Sequence, residues 1–307
     1  MEKRKIGSLV VTAVGLGCNN FGSRLDEDAT RGVVRAALDA GIDFFDTADI
    51  YGNHGLSEEY LGRALGPNRR DIFIATKFGM KMDEQRRGAR PEYVRQAAED
   101  SLRRLGTGHI DLYQLHTPDP DVPIADTLGA LNELVRAGKV REIGCSNFSV
   151  QQIQDAESAA TQKGTARFVS VQNEYSLLHR DPEQGVLKEC EKVGAAFLPF
   201  FPLASGLLTG KYHRGEPAPA GTRLASGPRA SQLTDSALRR VEALRAFAGS
   251  KGHTLLELAF AWLLSHQVVA SVIAGATKPE QVKANVAAAG WLIEDPDCAA
   301  IDAILAN

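Results

Sequence analysis

The sequence predicts a closed (β/α)8 barrel of the TIM type, and three observations carry that expectation. Eight short apolar runs alternate with amphipathic segments, the order that gives parallel strands joined by crossover helices. The amphipathic segments close on glycine with lysine or arginine nearby, as helix C-termini do. No linker divides the 307 residues, so a single domain over 1–307 is expected, close to the usual barrel of ~250 residues plus insertions.

Taken in order, "KRKIGSLVV" (3–11) offers two extended pieces about Gly7-Ser8, suited to an N-terminal β-hairpin that plugs the bottom of the barrel. "VTAVGLGC" (11–18) is the first barrel strand. Its Gly15 and Gly17 do not begin a GxGxxG dinucleotide loop, because Asn20 stands where the third glycine is required, and the plain reading of Gly17 is a tight turn. Helical spacing follows in "DATRGVVRAALDAG" (28–41), then strands in "DFFDTAD" (43–49) and "DIFIATK" (71–77). A helix over 90–106 leads to "IDLYQLH" (110–116), and another over 123–138 leads to "VREIGCSN" (140–147). The last three strands are "RFVSVQNEY" (167–175), "AAFLPFF" (195–201) and "VVASVIAGA" (268–276), with extra helices toward the C-terminus. Between the last two, residues 204–229 are rich in Gly, Pro and Ala and read as a long loop over one face.

Composition narrows the function classes. With 44% hydrophobic and 24% charged residues the chain can bury a sizeable core. Its net charge is −3 and its Lys and Arg are scattered, so no basic stripe recommends nucleic acid; a small phosphate-bearing molecule stays open. Cys18, Cys145, Cys190 and Cys298 form no CxxC pair, which argues against bound metal and a disulfide framework and for a reducing cytoplasm. The basic, then apolar start is interrupted at Gly7-Ser8 and reads as no signal peptide, and no apolar run reaches membrane-spanning length. A soluble cytoplasmic protein with no membrane partner is expected, and no oligomeric state is assigned.

In such a barrel the chemistry sits at the carboxyl ends of the strands. The second run ends in Asp46 with Tyr51 just beyond, the third in Lys77, the fourth in His116, the fifth in Ser146 and Asn147, and the sixth carries Gln172 and Asn173. Each has a plain structural reading: a turn cap, a half-buried ring, a snorkelling lysine, a loop histidine. Taken together, an acid, a phenol, an amine and an imidazole at corresponding strand ends converge on one mouth.

The stretches "GIDFFDTADIYG", "SEEYLGRAL", "IATK", "IDLYQLH", "VREIGCSNF", "VQNEYSLL", "FFPLASGLLTGK" and "GATKPEQVKANVAAA" together resemble the aldo-keto reductase superfamily, in its order and over nearly the whole chain. The resemblance implies a catalytic group of Asp46, Tyr51, Lys77 and His116, hydride transfer between NADP and an aldehyde or ketone, and Tyr51 as the general acid. A phenol near pKa 10 is a poor acid, and an ammonium ~4 Å away at an effective dielectric near 20 would contribute about 4 kcal/mol toward the phenolate. Asp46 would keep that buried ammonium charged. Asp49 has no catalytic counterpart and is given a turn or capping role. The resemblance further implies that Ser146, Asn147 and Gln172 hold the nicotinamide carboxamide, that Phe200 stacks on the ring, and that Phe201, Leu203, Ser205, Lys211 and Arg223 meet the pyrophosphate. Gly275, Thr277, Lys278, Gln281 and Asn285 would line the adenosine end, where Lys278 favours NADPH over NADH, and Gly17 would also touch the cofactor. Substrate walls are expected from Asn19, Asn20, Phe21, Ile50 and Phe78, for a small carbonyl or alcohol. Two rival readings stay open: a cofactor-binding regulatory subunit of the same fold, and a lyase or isomerase using Lys77 as a Schiff base.

Overall fold

The computed structural model describes residues 1–226 and 228–306; Gly227 of the long loop and Asn307 at the end of the expected domain lie outside the described residues. Strand β1 (Lys3–Ile6) pairs antiparallel with β2 (Leu9–Thr12), joined at Gly7, whose φ of 57° costs glycine nothing. Ile6, Leu9 and Val11 of this hairpin pack with Phe44, Ala75, Leu112, Leu198 and Ile273, inward-facing residues of the barrel strands. The hairpin is therefore the floor of the barrel, as its alternating pattern suggests.

The barrel proper runs β3 (Val14–Gly17), α1 (Glu27–Asp39), β4 (Phe44–Asp46), α2 (Tyr51–Leu65), β5 (Phe73–Phe78), α3 (Pro91–Leu105), β6 (Ile110–Leu115) and α4 (Ile124–Arg136) in its first half. The second half is β7 (Val140–Ser146), α5 (Val150–Lys163), β8 (Phe168–Glu174), α6 (Val186–Val193), β9 (Ala196–Phe200), α7 (Asp235–Ser250), α8 (Leu255–Ser265), β10 (Val272–Gly275), α9 (Pro279–Ala288) and α10 (Asp295–Leu305). Each of the eight apolar runs forms one parallel strand, in the order β10, β3, β4, β5, β6, β7, β8, β9. The ring closes just before β10, where Phe197 donates to Val268 O at 2.7 Å and Ala270 donates to Phe197 O at 3.0 Å. Arg4 of the hairpin supports that closure by donating to the carbonyls of Leu264 and Val269 at 2.8 and 2.7 Å.

Helix ends follow the signals in the sequence. Asp26 caps α1, the Ser149/Gln152 and Thr254/Glu257 boxes open α5 and α8, and Gly106, Gly164 and Gly194 close α3, α5 and α6 in left-handed conformations. The extra helices are α7, which precedes α8, and α10, which packs on α7. Among the described residues no helix is long and apolar enough to cross a membrane. Above the apolar floor the inward-facing positions turn polar, and that change of lining sets the mouth.

Candidate active site

The polar layer is built around one buried pair. Lys77, fully buried on β5, donates from Nζ to Asp46 Oδ1 at 2.6 Å and to Thr47 O at 2.8 Å. Asp46 Oδ2 accepts from the amides of Gln172 at 3.0 Å and Gln114 at 3.3 Å. Both carboxylate oxygens are thus occupied by donors from three other strands. Gly144 makes room for this arrangement, since a Cβ there would stand 2.2 Å from Ser170 Oγ and 3.2 Å from Gln114 Cγ. Burial pulls the Lys77 amine toward the neutral form, but Asp46 and then Tyr51 more than offset it, and its pKa ends above the ordinary lysine value. The ammonium stays charged inside the barrel.

Tyr51 and His116 complete the group. The Lys77 ammonium lies 5.1 Å from the Tyr51 ring centroid, and the His116 ring meets Tyr51 edge-on with centroids 5.7 Å apart. Burial, opposed in part by Lys77 and aided by Asp46, raises the phenol above its ordinary pKa. The sequence expects Lys77 to bring Tyr51 down toward the working pH; desolvation outweighs that attraction, so the phenol holds its proton at neutral pH. His116 is pushed down to about 3 by burial and by Lys77, so its imidazole is neutral, and its Nδ1 has no partner among the described residues.

The chain after Tyr51 leaves the regular helix. Gly52, Asn53, His54 and Gly55 take φ of 66°, 56°, 68° and 124°, a left-handed turn set into the start of α2. Asn53 and His54 each cost roughly 1–2 kcal/mol there. Gly52 is required by contact as well as conformation: a Cβ on it would stand 2.4 Å from Phe21 O. Ser57 anchors the far side by donating to Cys18 O at 2.9 Å and bonding Thr47 Oγ1 at 2.8 Å.

Asp49 lies in the turn that leads into α2, as the sequence expects, while its capping alternative is corrected. It makes no side-chain cap for α2; it is 1% exposed, its N–H donates to Lys77 O at 3.1 Å, and its Oδ1 has no partner. Burial, reinforced by Glu58 and opposed by Arg104, pushes its carboxyl up to about 8. The expected substrate walls are corrected too. Phe21 and Phe78 are wholly buried in the core, and Phe78 stacks on Tyr113 at 4.7 Å, because strand alternation turns it outward when Lys77 turns inward. Asn20 is also buried, bonded to Arg223 and to Ala276 O, which leaves Asn19 and Ile50 as the partly exposed members of that set.

The residues expected to hold a cofactor occupy the other half of the rim. Ser146 ends β7 and donates to Gln172 O at 2.7 Å; Asn147, at φ 62°, donates to Ser146 Oγ and to His116 O. Gln172 turns its amide nitrogen to Asp46, a supporting part the sequence does not reveal. Phe200 ends β9, followed by left-handed Phe201, Ala204 and Ser205, with Leu203 leading into the 3₁₀ turn Ala204–Thr209. Among the described residues Ser205 Oγ and Asn173 Oδ1 are buried without partners. Burial lowers Lys211 and Arg223, and Arg24 lowers both further. Arg223 donates to Asn20 Oδ1 at 2.9 Å, and among the described residues neither Lys211 nor Arg223 forms a salt bridge with a carboxylate. Crowded cations without an acid and an unpartnered buried hydroxyl fit a bound anion such as a pyrophosphate.

At the remaining edge Gly275 of β10 pairs with Gly17 of β3, where a Cβ on Gly17 would meet Ile273 at 3.2 Å. Lys278 is exposed at the start of α9, and Asn285 is buried in that helix. Gln281 Oε1 accepts from Thr277 N at 2.7 Å and Thr277 Oγ1 at 3.1 Å, so that oxygen is committed to closing the turn. The sequence reading misses Gln114, Arg24 and Arg229. Gln114 was detectable as the inward residue two before His116 on the same strand; Arg229, which covers the Phe201 ring at 3.8 Å and pairs with Glu174, carries no such signal.

A model of the Aldo/keto reductase family matches residues 13–306. The chain is 34% identical to an aldo-keto reductase of Bacillus subtilis (strain 168), over 100% of this chain and 94% of that protein. It is 35% identical to a "Probable voltage-gated potassium channel subunit beta" of Oryza sativa subsp. japonica, over 87% of this chain and 84% of that one. Its fold resembles the solved glycerol dehydrogenase of Gluconobacter oxydans, with a TM-score of 0.86, 32% identity and coverage of 99% and 95% of the two chains.

The buried Asp49 has a consequence for stability. Between the ordinary carboxylate value of 3.8 and about 8, the unfolded chain has lost this proton while the folded chain keeps it, so its contribution to stability falls as pH rises. Asp49→Asn removes that loss. In urea unfolding at a series of pH values, its advantage over wild type should widen from pH 4 to pH 8, by up to about 1.4 kcal/mol per pH unit. A difference that does not vary with pH would mean that Asp49 is solvated and ionised.

Proposed function

Since the chain belongs to the aldo/keto reductase family, we propose that it reduces aldehydes or ketones with NADPH, or oxidises the corresponding alcohols, with Tyr51 as the proton donor and acceptor. Family and fold support an oxidoreductase acting on carbonyl groups. The observation that carries the finer reading is the meeting of a protonated phenol, a buried ammonium held charged and a neutral imidazole at one mouth. When bound, the nicotinamide supplies or accepts the hydride.

Each group then has a defined part. Tyr51 gives its proton to the carbonyl oxygen as negative charge develops there. The phenolate left behind is stabilised by the buried Lys77 ammonium, whose attraction already lowers the phenol's pKa against the pull of burial. Asp46 keeps that charge in place. A neutral His116 donates one hydrogen bond to the same oxygen and orients it. The Schiff-base alternative needs a neutral amine at Lys77, and its pairing with Asp46 opposes one.

Ser146, Asn147 and Gln172 would hold the carboxamide, and Phe200 would face the nicotinamide ring. Lys211, Arg223 and Ser205, with the backbone at Phe201 and Leu203, would meet the pyrophosphate, joined by Arg24 and Arg229. Gly275, Thr277, Lys278, Gln281 and Asn285 would line the adenosine end, with Lys278 on the 2′-phosphate beside the N-terminus of α9, and Gly17 would also touch the cofactor. A reducing cytoplasm suits the four free cysteines. The second reading, a cofactor-binding regulatory subunit with little turnover, draws on the similarity to the plant channel subunit. Turnover across a panel of aldehydes and ketones separates the two.

Tyr51→Phe should lower NADPH-dependent reduction of such a panel by about 10²–10⁴-fold, the usual contribution of a positioned acid, while NADPH still quenches protein fluorescence. Near wild-type turnover would remove Tyr51 from the proton-donor role. Lys278→Ala should lower kcat/KM for NADPH by about tenfold or more, as for a lost charge-assisted contact, with little change for NADH. An unchanged ratio of the two would take Lys278 out of the cofactor site.

A further inference from the structure

The turn that carries Tyr51 is also held from outside the barrel. Arg104, near the end of α3, donates from Nε to Glu58 Oε2 at 2.6 Å. Glu58 is fully buried on α2, and its other carboxylate oxygen accepts from Thr76 Oγ1 at 2.5 Å. Thr76 precedes Lys77 on β5 and faces the helices where Lys77 faces the barrel interior. The stem of Arg104 also lies against the left-handed turn, since a Cβ on Gly55 would stand 2.6 Å from Arg104 Cδ and 2.9 Å from its Nε. One side chain therefore joins α3, the turn after Tyr51 and, through Glu58, the strand that presents Lys77.

That linkage meets a need. Residues 52–55 are left-handed in succession, two of them not glycine, and the N-cap residue Ile50 contributes no side-chain bond to hold them. A buried charged pair adds little net stability by itself. We propose that Arg104, acting through Glu58 and Gly55, is a positioning residue that sets the Tyr51 phenol against Lys77 without touching substrate or cofactor. The inference rests on the reading of Tyr51 as proton donor.

The test compares wild type, Arg104→Met, Arg104→Lys and Glu58→Gln in two measurements: amide hydrogen exchange over residues 51–58, and steady-state reduction of 4-nitrobenzaldehyde by NADPH. Arg104→Met should speed exchange in that segment and lower kcat by about 10²-fold, the scale of a 1 Å misplacement, with KM for NADPH nearly unchanged. Arg104→Lys, which keeps the charge and most of the stem, should recover part of kcat. Glu58→Gln keeps the shape but not the charge and should shift both measurements the same way, which preserves the test if Arg104→Met does not fold. Unchanged exchange in an active protein, or faster exchange with unchanged kcat, overturns the positioning role. Wild type that reduces neither this aldehyde nor any other carbonyl would instead sink the proton-donor reading on which it rests.

Discussion

The structure depends on keeping one ammonium charged where water cannot reach it. A lysine at 0% exposure, left to itself, would lose its proton, and a neutral amine would give Tyr51 no electrostatic support. Asp46 prevents that, but a buried carboxylate has its own desolvation cost and needs both oxygens bonded. Gln114 and Gln172 supply the second set of bonds, Gly144 clears the space for Gln114, and Thr47 O takes another bond from the ammonium. A pair that begins on β4 and β5 thus constrains the inward positions of β6, β7 and β8.

The same layer explains how the two halves of the mouth relate. The acid, phenol, amine and imidazole come from β4, β5, the end of β6 and the start of α2, while the crowded cations Lys211 and Arg223 and the unpartnered Asn173 and Ser205 atoms come from β8 and the long loop after β9. Asn147 spans the divide, bonding Ser146 beside it and His116 O on the side of the Asp46–Lys77 pair. A molecule reaching across that rim would meet positive charge at one end and the Tyr51 phenol at the other.

Much of this was legible in the sequence, for a physical reason. Parallel strands buried on both faces read as apolar runs, and the residue that interrupts such a run at its carboxyl end has few uses there other than chemistry. Asp46, Lys77 and His116 show themselves that way. The burial of Asp49 does not, because an acid between an apolar run and Gly52 looks like an exposed turn, and only the fold shows that turn packed near Glu58 and Tyr93. Nor does the state of Tyr51: the sequence shows that a lysine is near, whereas the balance between that charge and desolvation depends on how deeply the phenol sits. Phe21 and Phe78 look like pocket walls by their position beside the motifs, and strand and loop geometry turns both into the core. Arg24 and Arg229 reach the mouth from segments with no periodicity to place them.

The charge on Lys77 can be observed directly. With lysine labelled at 13Cε, the Lys77 resonance in wild type should stay at its ammonium position through the range where ordinary lysines titrate, about pH 10.4, and should titrate well below that value in Asp46→Asn. A Lys77 that loses its proton below about pH 9 in wild type, or whose titration is the same with and without the Asp46 carboxylate, would contradict the account.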